Sequence, residues 1–551
     1  MTDTYTVGNY LVDRLHQLGL QHLFSIAGDY SIEWVDNYVE QGGIQVIQEV
    51  NELNGGYAAD GYARLKGIGA LCVTYSAGSL SATNAIAGAF VEKVPVVLIA
   101  GAPSIKKALT FEQTGYSAHH FITNHLTDLQ VFEYITAAAV RIDSPQIAPM
   151  QIDYALTQCI TQRRPVYIEL LEDMVDLACP QPLGTLTAAP VISDPDSLSQ
   201  TIAQIGESLR QASNPLLWIG IEIDRFGLQA EVEKLMQKLH IPYVTEFMSK
   251  AVLSENDAQF AGVFDGRSSS PAVQELMKKS DFALGLGVWL TDINDLGWPI
   301  DFAKTAFASF DTFKFGAVFN AQVSLADLID GLLQAPIQCR SDPLPEYVFP
   351  EPVPGSLTDE ISYQGFYDFI RYYIDSNMTI GSDASLNYFG SMLLKIGTPG
   401  GFIVQSSYST IGYMAAAATG ASLAKDASQR VVVFSGDGGF QMTAQCLSTQ
   451  TRFGLNPIIF VIDNGVYGVE QWLADASVFA TKKPFHKSCI LHRWNYSKLA
   501  DVFGCKGWEA RTYGDLKDAV IGALANLDSP SIIQVVVPSW SIPDNARWKE
   551  N

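Results

Sequence analysis

Short apolar runs and longer stretches of helical spacing alternate from one end of this chain to the other. Residues 7–18 carry the apolar stripe of an amphipathic helix, and 22–26 read as a strand. Ala27-Gly28-Asp29-Tyr30-Ser31 then reads as a turn entering another helix. Residues 44–50 predict a strand, 53–66 a helix and 70–75 a strand, with further buried strands at 94–100 and 165–170. The alternation resumes with strands near 215–219, 243–244 and 282–286, and again in the last third of the chain. Strands of this length, separated by helices, pack as parallel sheets covered on both faces. Residues 182–196 are rich in Pro, Thr and Ser, and 339–356 hold five prolines, so both read as linkers. The expected fold class is α/β, with three doubly wound parallel-sheet domains at residues 1–185, 196–340 and 358–551. The first and last share their pattern, which an old duplication would explain. In the middle domain Gly285-Leu286-Gly287 is a weak dinucleotide signal. Leu290 stands where a third glycine would be, so a tight strand-to-helix turn is the better reading.

The sharpest local signal is the stretch from Arg430 to Gly468. Residues 430–435 predict a strand, Gly436-Asp437-Gly438-Gly439 breaks it, and 441–453 have helix-forming composition. Gly454 ends that helix, and 457–462 predict a second strand. A strand–helix–strand unit has parallel strands joined by a right-handed crossover, so both strands end on one edge of the sheet. Asp437 and Asn464, 27 residues apart, then lie side by side in the crevice where open α/β sheets bind ligands. The glycines let backbone N–H groups approach closely, and the helix N-terminus favours an anion such as a phosphate. One carboxylate and one amide oxygen beside a phosphate suit Mg²⁺, which takes few protein oxygens and lets phosphates complete its octahedron. With the Gly-Asp-Gly triplet alone, an ordinary strand–helix–strand unit with a tight turn is the competing reading.

Composition narrows the class. The 551 residues include 35 Lys and Arg against 58 Asp and Glu, a net charge of −23, which argues against nucleic acid or an anionic membrane as partner. Seven scattered cysteines fit reduced thiols and a cytoplasmic location. The first residues lack the basic and apolar regions of a signal peptide, and no run of about 18 apolar residues would span a bilayer.

The Gly-Asp-Gly triplet and Asn464, extended by Gly438-Gly439-Phe440-Gln441 and Tyr467-Gly468-Val469-Glu470, resemble the thiamine diphosphate motif of the pyruvate/indolepyruvate decarboxylase family. The resemblance implies that Gly436, Asp437, Gly438, Gly439 and Asn464 bind thiamine diphosphate. Asp437, Asn464 and the Val466 carbonyl would hold Mg²⁺. The stretch Asn51 to Arg64 (NELNGGYAADGYAR) is similar to the family segment whose glutamate contacts the cofactor's pyrimidine ring, which gives that role to Glu52. With Val50 and Leu53 beside it, burial would push this carboxyl toward its neutral form, as sharing a proton with a ring nitrogen requires. On its own, Glu52 reads equally as a carboxylate at a helix N-terminus.

The same resemblance makes Asp29, His119, His120 and Glu470 a proton-handling cluster, whereas Asp29 alone reads as a turn or capping residue. Ser409-Thr410-Ile411-Gly412-Tyr413 implies Ile411 as the apolar wedge that bends the cofactor, and the Ser409 carbonyl as acceptor for its amino group. Ser409 departs from the usual glycine, and residues 121–125 after the histidine pair depart from the family pattern. Val469 and Leu473, four apart on a helix, are candidate substrate walls; the resemblance adds Ala384 and Tyr388. It implies non-oxidative decarboxylation of a 2-oxo acid to an aldehyde and CO₂ through a cofactor-bound enamine, with branched, long or aromatic substrates accepted. An acetolactate synthase-like carboligase is the nearest alternative, and an inactive cofactor-binding scaffold a more distant one. Because Glu52 and the Mg²⁺ motif fall in different domains, the family pattern implies a homodimer at least, with a homotetramer common among relatives.

Overall fold

The computed structural model describes residues 4–337, 356–426 and 428–550. The second predicted linker, 339–356, lies outside these residues except for Ser356. The first sheet holds β1 (His22–Ser25), β2 (Gln45–Gln48), β3 (Gly69–Thr74), β4 (Val96–Ala102), β5 (Ala139–Ile142) and β6 (Val166–Leu171). The second holds β7 (Pro215–Ile219), β8 (Tyr243–Glu246), β9 (Phe260–Phe264), β10 (Phe282–Leu286), β11 (Thr305–Ala308), β12 (Thr312–Phe315) and β13 (Val318–Ala321). The third holds β14 (Met378–Ser382), β15 (Phe402–Val404), β16 (Arg430–Gly436), β17 (Ile458–Asp463), β18 (Lys506–Ala510) and β19 (Ser531–Val536).

The outer sheets are parallel throughout, ordered β2-β1-β3-β4-β6-β5 and β15-β14-β16-β17-β19-β18. Counted within each domain the two orders are identical, as a duplicated unit would give. The middle sheet runs β13-β12-β11-β10-β7-β8-β9. Five of its strands are parallel, and the β12–β13 hairpin adds an antiparallel edge that the apolar pattern did not foretell. That hairpin turns at Gly316 (φ +55°) and is half exposed, so it carries no apolar run. The unforeseen β9 contains Gly262 at φ +134°, and its register against β8 shifts at Tyr243/Val244. The middle domain begins one residue before its predicted start, with the helix Pro195–Gln211 capped by Asp194 on the Ser197 N–H at 2.8 Å.

The first and third domains meet through the helices Glu52–Lys66 and Tyr413–Ala424. Small residues stand at the crossing, with Gly61 against Ala417 and Gly420 against Ala58, so the backbones approach closely. A Cβ added to Gly420 would collide with the Ala58 carbonyl oxygen. Around this dry contact the Tyr413 hydroxyl donates to Asp60, and Arg64 donates to Asp60 at 2.7 Å and to the Val404 carbonyl at 2.9 Å. The pairing sets where the carboxyl-end edges of the two outer sheets stand.

Candidate active site

In the third sheet, the helix Asp437–Thr443 starts directly off β16. Gly438 and Gly439 are therefore in its first turn rather than in a loop before a helix at 441. Both have ordinary negative φ; what excludes a side chain there is packing. A Cβ on Gly438 would strike the Tyr467 ring, and one on Gly439 would stand 2.7 Å from Asp383 Oδ2. Asp437 is buried and accepts from the Gly438 N–H at 2.9 Å and the Gly465 N–H at 2.7 Å. Burial pushes its pKa up to about 7, Asp463 adds to this, and the two N–H donors and Arg493 oppose it. Asn464 is also buried, its side-chain oxygen accepting from the Val466 N–H at 3.1 Å. The Val466 backbone is pinned by a bridge to Ile490.

The donor set fits Mg²⁺. One carboxylate, one amide oxygen and one backbone carbonyl are hard oxygens carried by two neighbouring strand ends, which the Gly465 N–H joins by donating to Asp437. Asp437 has no ion-pair partner within 4 Å among the described residues, and a divalent cation would restore its charged form.

Asp383, which follows β14, is a site residue that the sequence motifs did not single out. It accepts from the Gly412 N–H at 3.0 Å, the Met414 N–H at 3.2 Å and the Ser435 hydroxyl at 2.9 Å. It thereby ties the Ser409–Gly412 loop to the end of β16. A carboxylate at a strand end, Ser382-Asp383, was the signal available for it.

The helix Gly468–Asp475 carries Glu470 and Leu473 outward, both exposed. One cavity is lined by Ala384, Tyr388, Ser409, Ile411, Val469, Glu470 and Leu473, all candidates from the sequence. It encloses about 70 Å³. Tyr388 is fixed by donating to the Gln405 carbonyl at 2.7 Å and by edge-on packing with Phe247. The middle domain supplies the other wall, Phe247, Asp265, Ile293 and Leu296, which no sequence motif announced. A larger cavity of about 500 Å³ around Arg267, Trp298 and Trp548 contains none of the candidate residues.

In the first domain, Asp29 Oδ2 lies 2.9 Å from His119 Nε2, and the ligating atoms of Asp29, His119 and His120 lie within 4.8 Å of one another. Tyr30 stacks on His119 with centroids 5.0 Å apart, and the Tyr75 hydroxyl donates to the His119 carbonyl. All three members of the cluster are exposed. Glu470 stands on the third domain of the chain, in the cavity just described. Glu52 opens its helix as predicted, behind Asn51, which caps it at 2.8 Å. It is half-buried and not buried, because Val50 beside it is 41% exposed. A Cβ on Gly78, past the end of β3, would stand 3.5 Å from Glu52 Oε1. Glu52 and Asp29 thus both follow carboxyl ends of the first sheet, as Asp437 and Asn464 do in the third.

Residues 5–130, 202–335 and 385–535 match the N-terminal TPP binding domain, the central domain and the C-terminal TPP binding domain of thiamine pyrophosphate enzymes. The chain is 30% identical to a probable pyruvate decarboxylase of Schizosaccharomyces pombe, over 97% of this chain and 94% of that protein. It is 31% identical to an alpha-keto-acid decarboxylase of Mycolicibacterium paratuberculosis, over 98% of this chain and 95% of that one. Its fold is similar to the crystal structure of benzoylformate decarboxylase from Polynucleobacter necessarius. The TM-score is 0.81 at 18% identity, covering 98% of this chain and 100% of that one.

Proposed function

The chain belongs to the thiamine pyrophosphate-dependent 2-oxo acid decarboxylases, and from that premise we propose how its own residues divide the work. The reaction is decarboxylation of a 2-oxo acid. Thiamine diphosphate, when bound, supplies the nucleophilic carbon and the electron sink for loss of CO₂. Asp437, Asn464 and the Val466 carbonyl would hold Mg²⁺, which would supply positive charge to the diphosphate. Gly436, Gly438 and Gly439 keep the diphosphate close to the start of their helix. Ser409 and Ile411 hold the cofactor's bend, with Asp383 fixing their loop. Glu52 exchanges a proton with the pyrimidine ring. Glu470 faces the substrate carboxylate, and Asp29, His119 and His120 return the proton that replaces CO₂.

The observation that carries this reading is a buried carboxylate, Asp437, with no ion-pair partner among the described residues, next in sequence to Gly436, which packs on Ser385 of the cavity that holds Ile411 and Glu470. One chain presents Glu52, Asp29 and the histidines half-buried or exposed. That supports a homodimer in which each active site takes these residues from one copy and the Asp437 crevice from the other; a tetramer would pair two such dimers. Six cysteines are free among the described residues, which supports a reducing, cytoplasmic setting.

Val469 is smaller than isoleucine and Tyr388 smaller than tryptophan, so the cavity reads as open to branched, long or aromatic 2-oxo acids. Each methylene changes discrimination by about 1–3 kcal/mol, a preference and not an exclusion.

The test is turnover with added thiamine diphosphate and Mg²⁺. Aldehyde and CO₂ as the main products support the assignment; acetolactate-type products as the main outcome favour the carboligase. No CO₂ from any 2-oxo acid would leave the scaffold reading. Comparing pyruvate, 2-oxoisovalerate, phenylpyruvate and indolepyruvate tests the wide cavity. A lead of about tenfold for pyruvate over all others, about 1.4 kcal/mol, would refute it.

A further inference from the structure

Asp265 follows β9 and lines the same cavity as Ala384, Tyr388, Val469 and Glu470. It is 3% exposed, and its Oδ1 is buried with no hydrogen-bond partner. Its backbone N–H does have one, the Ser269 hydroxyl at 2.7 Å. The other buried carboxylates around the cavity and in the middle domain each have at least one partner, Glu222 through Lys93 and Trp289. Asp383 accepts from three donors, Glu246 from two backbone N–H groups and Asn294, and Glu255 from Lys250. Buried polar groups are ordinarily paired, so a carboxyl left open in a cavity wall is a binding group without its ligand. No cation pairs with it among the described residues. Burial and the nearby Asp295 hold its pKa well above the usual range. As a neutral acid it can both donate and accept. Phe247, Tyr388, Phe389 and Trp472 give the wall an aromatic part, while Ser385, Ser409 and Glu470 are its other polar members.

We propose that Asp265 is a specificity-determining residue that hydrogen-bonds a neutral polar group, a hydroxyl or a ring N–H, on the aromatic side chain of the 2-oxo acid. This rests on the reading of the cavity as the substrate site. A site built to hydrogen-bond a substrate group discriminates strongly against the analogue lacking it, because its own polar atom is then left unpaired.

The experiment compares kcat/KM of the holoenzyme for phenylpyruvate, 4-hydroxyphenylpyruvate and indolepyruvate, in the wild type, Asp265→Leu and Asp265→Asn. The wild type should favour at least one polar substrate over phenylpyruvate by on the order of 10-fold or more. Whether the hydroxyl or the ring N–H is recognised is read from which one leads. Asp265→Leu should bring that ratio to one or below, and Asp265→Asn should keep most of it. A wild-type ratio near one overturns the proposal, whether or not the Leu variant folds. An unchanged ratio in a folded Leu variant overturns it too. Failure on all three substrates while pyruvate is turned over overturns the specificity assignment alone; failure on every 2-oxo acid, pyruvate included, overturns the reading of the site and the assignment with it.

Discussion

The third and middle domains present the same feature, a crevice outside the carboxyl ends of parallel strands, and put it to opposite use. At β16 and β17 the helix start carries Asp437 against Asn464 and Gly465, with hard oxygens converging and no cation among them. At β7 and β10 the equivalent space is closed. Gly220 packs so tightly on Gly287 that a Cβ would collide with its carbonyl, and the Glu222 N–H donates to that carbonyl at 3.1 Å. Glu246 fills what remains, accepting from the Ile221 N–H at 2.8 Å, the Trp289 N–H at 3.1 Å and Asn294 at 3.2 Å. Glu222 adds a second carboxylate, paired with Lys93 of the first domain. The N–H donors that would greet a phosphate are already taken, those of Ile221 and Trp289 by the Glu246 carboxyl and that of Glu222 by the Gly287 carbonyl. A doubly wound sheet offers a crevice by topology, but side chains decide whether it is a site or a joint.

The comparison can be broken most forcefully at Asp437. Asp437→Ala removes the carboxylate proposed to ligate the metal, so turnover at fixed cofactor should fall by on the order of 100-fold or more. The unfolding temperature should also stop rising when thiamine diphosphate and Mg²⁺ are added. A cofactor-dependent rise that survives would place the metal elsewhere. Glu52→Gln should separate binding from chemistry. We expect turnover to drop by on the order of 10²–10⁴-fold, while the cofactor-dependent rise in unfolding temperature persists. Turnover at the wild-type level would remove Glu52 from the mechanism.

Two further changes probe the closed crevice. Gly220→Ala should destabilise by about 1–3 kcal/mol through overpacking against Gly287, read as a lower denaturant midpoint, with cofactor affinity unchanged. A loss of cofactor affinity would mean the middle crevice is not merely structural. The smallest effect concerns Glu246, whose pKa burial raises to about 8. Its folded-state pKa lies above the unfolded carboxylate value. Stability due to this group is therefore full below about pH 4.5 and lost as pH rises through 8. Glu246→Gln should flatten the decline in unfolding temperature between pH 5 and 8 and leave kcat alone. Equal slopes for variant and wild type would show that Glu246 ionises freely.

Much of this was legible before any coordinates. The strand–helix–strand unit around Asp437 was readable because its strands are uninterrupted apolar runs and its turn is marked by glycine. Val469 and Leu473 could be placed on one cavity wall because helical spacing fixes which residues share a face. The glycines were harder. Their sequence position suggested room for an anion, and the structure shows them pressed by Tyr467 and Asp383, neighbours 29 and 56 residues away from Gly438 and Gly439.

What the sequence determined by itself was local: periodicity set many of the elements, the crossover rule put two strand ends on one sheet edge, and the motif spacing put Asp437 beside Asn464. What only the tertiary structure decided was everything that depends on partners far along the chain. Asp265 and Phe247 reach the cavity beside Val469 and Glu470 because the middle domain packs against the third, and no spacing rule encodes that contact. Glu222 and Glu246 plug a crevice that glycines alone would have left open. Glu52, set between an exposed Val50 and a helix, is only half-buried, because burial is a property of what covers a residue and not of its neighbours in sequence.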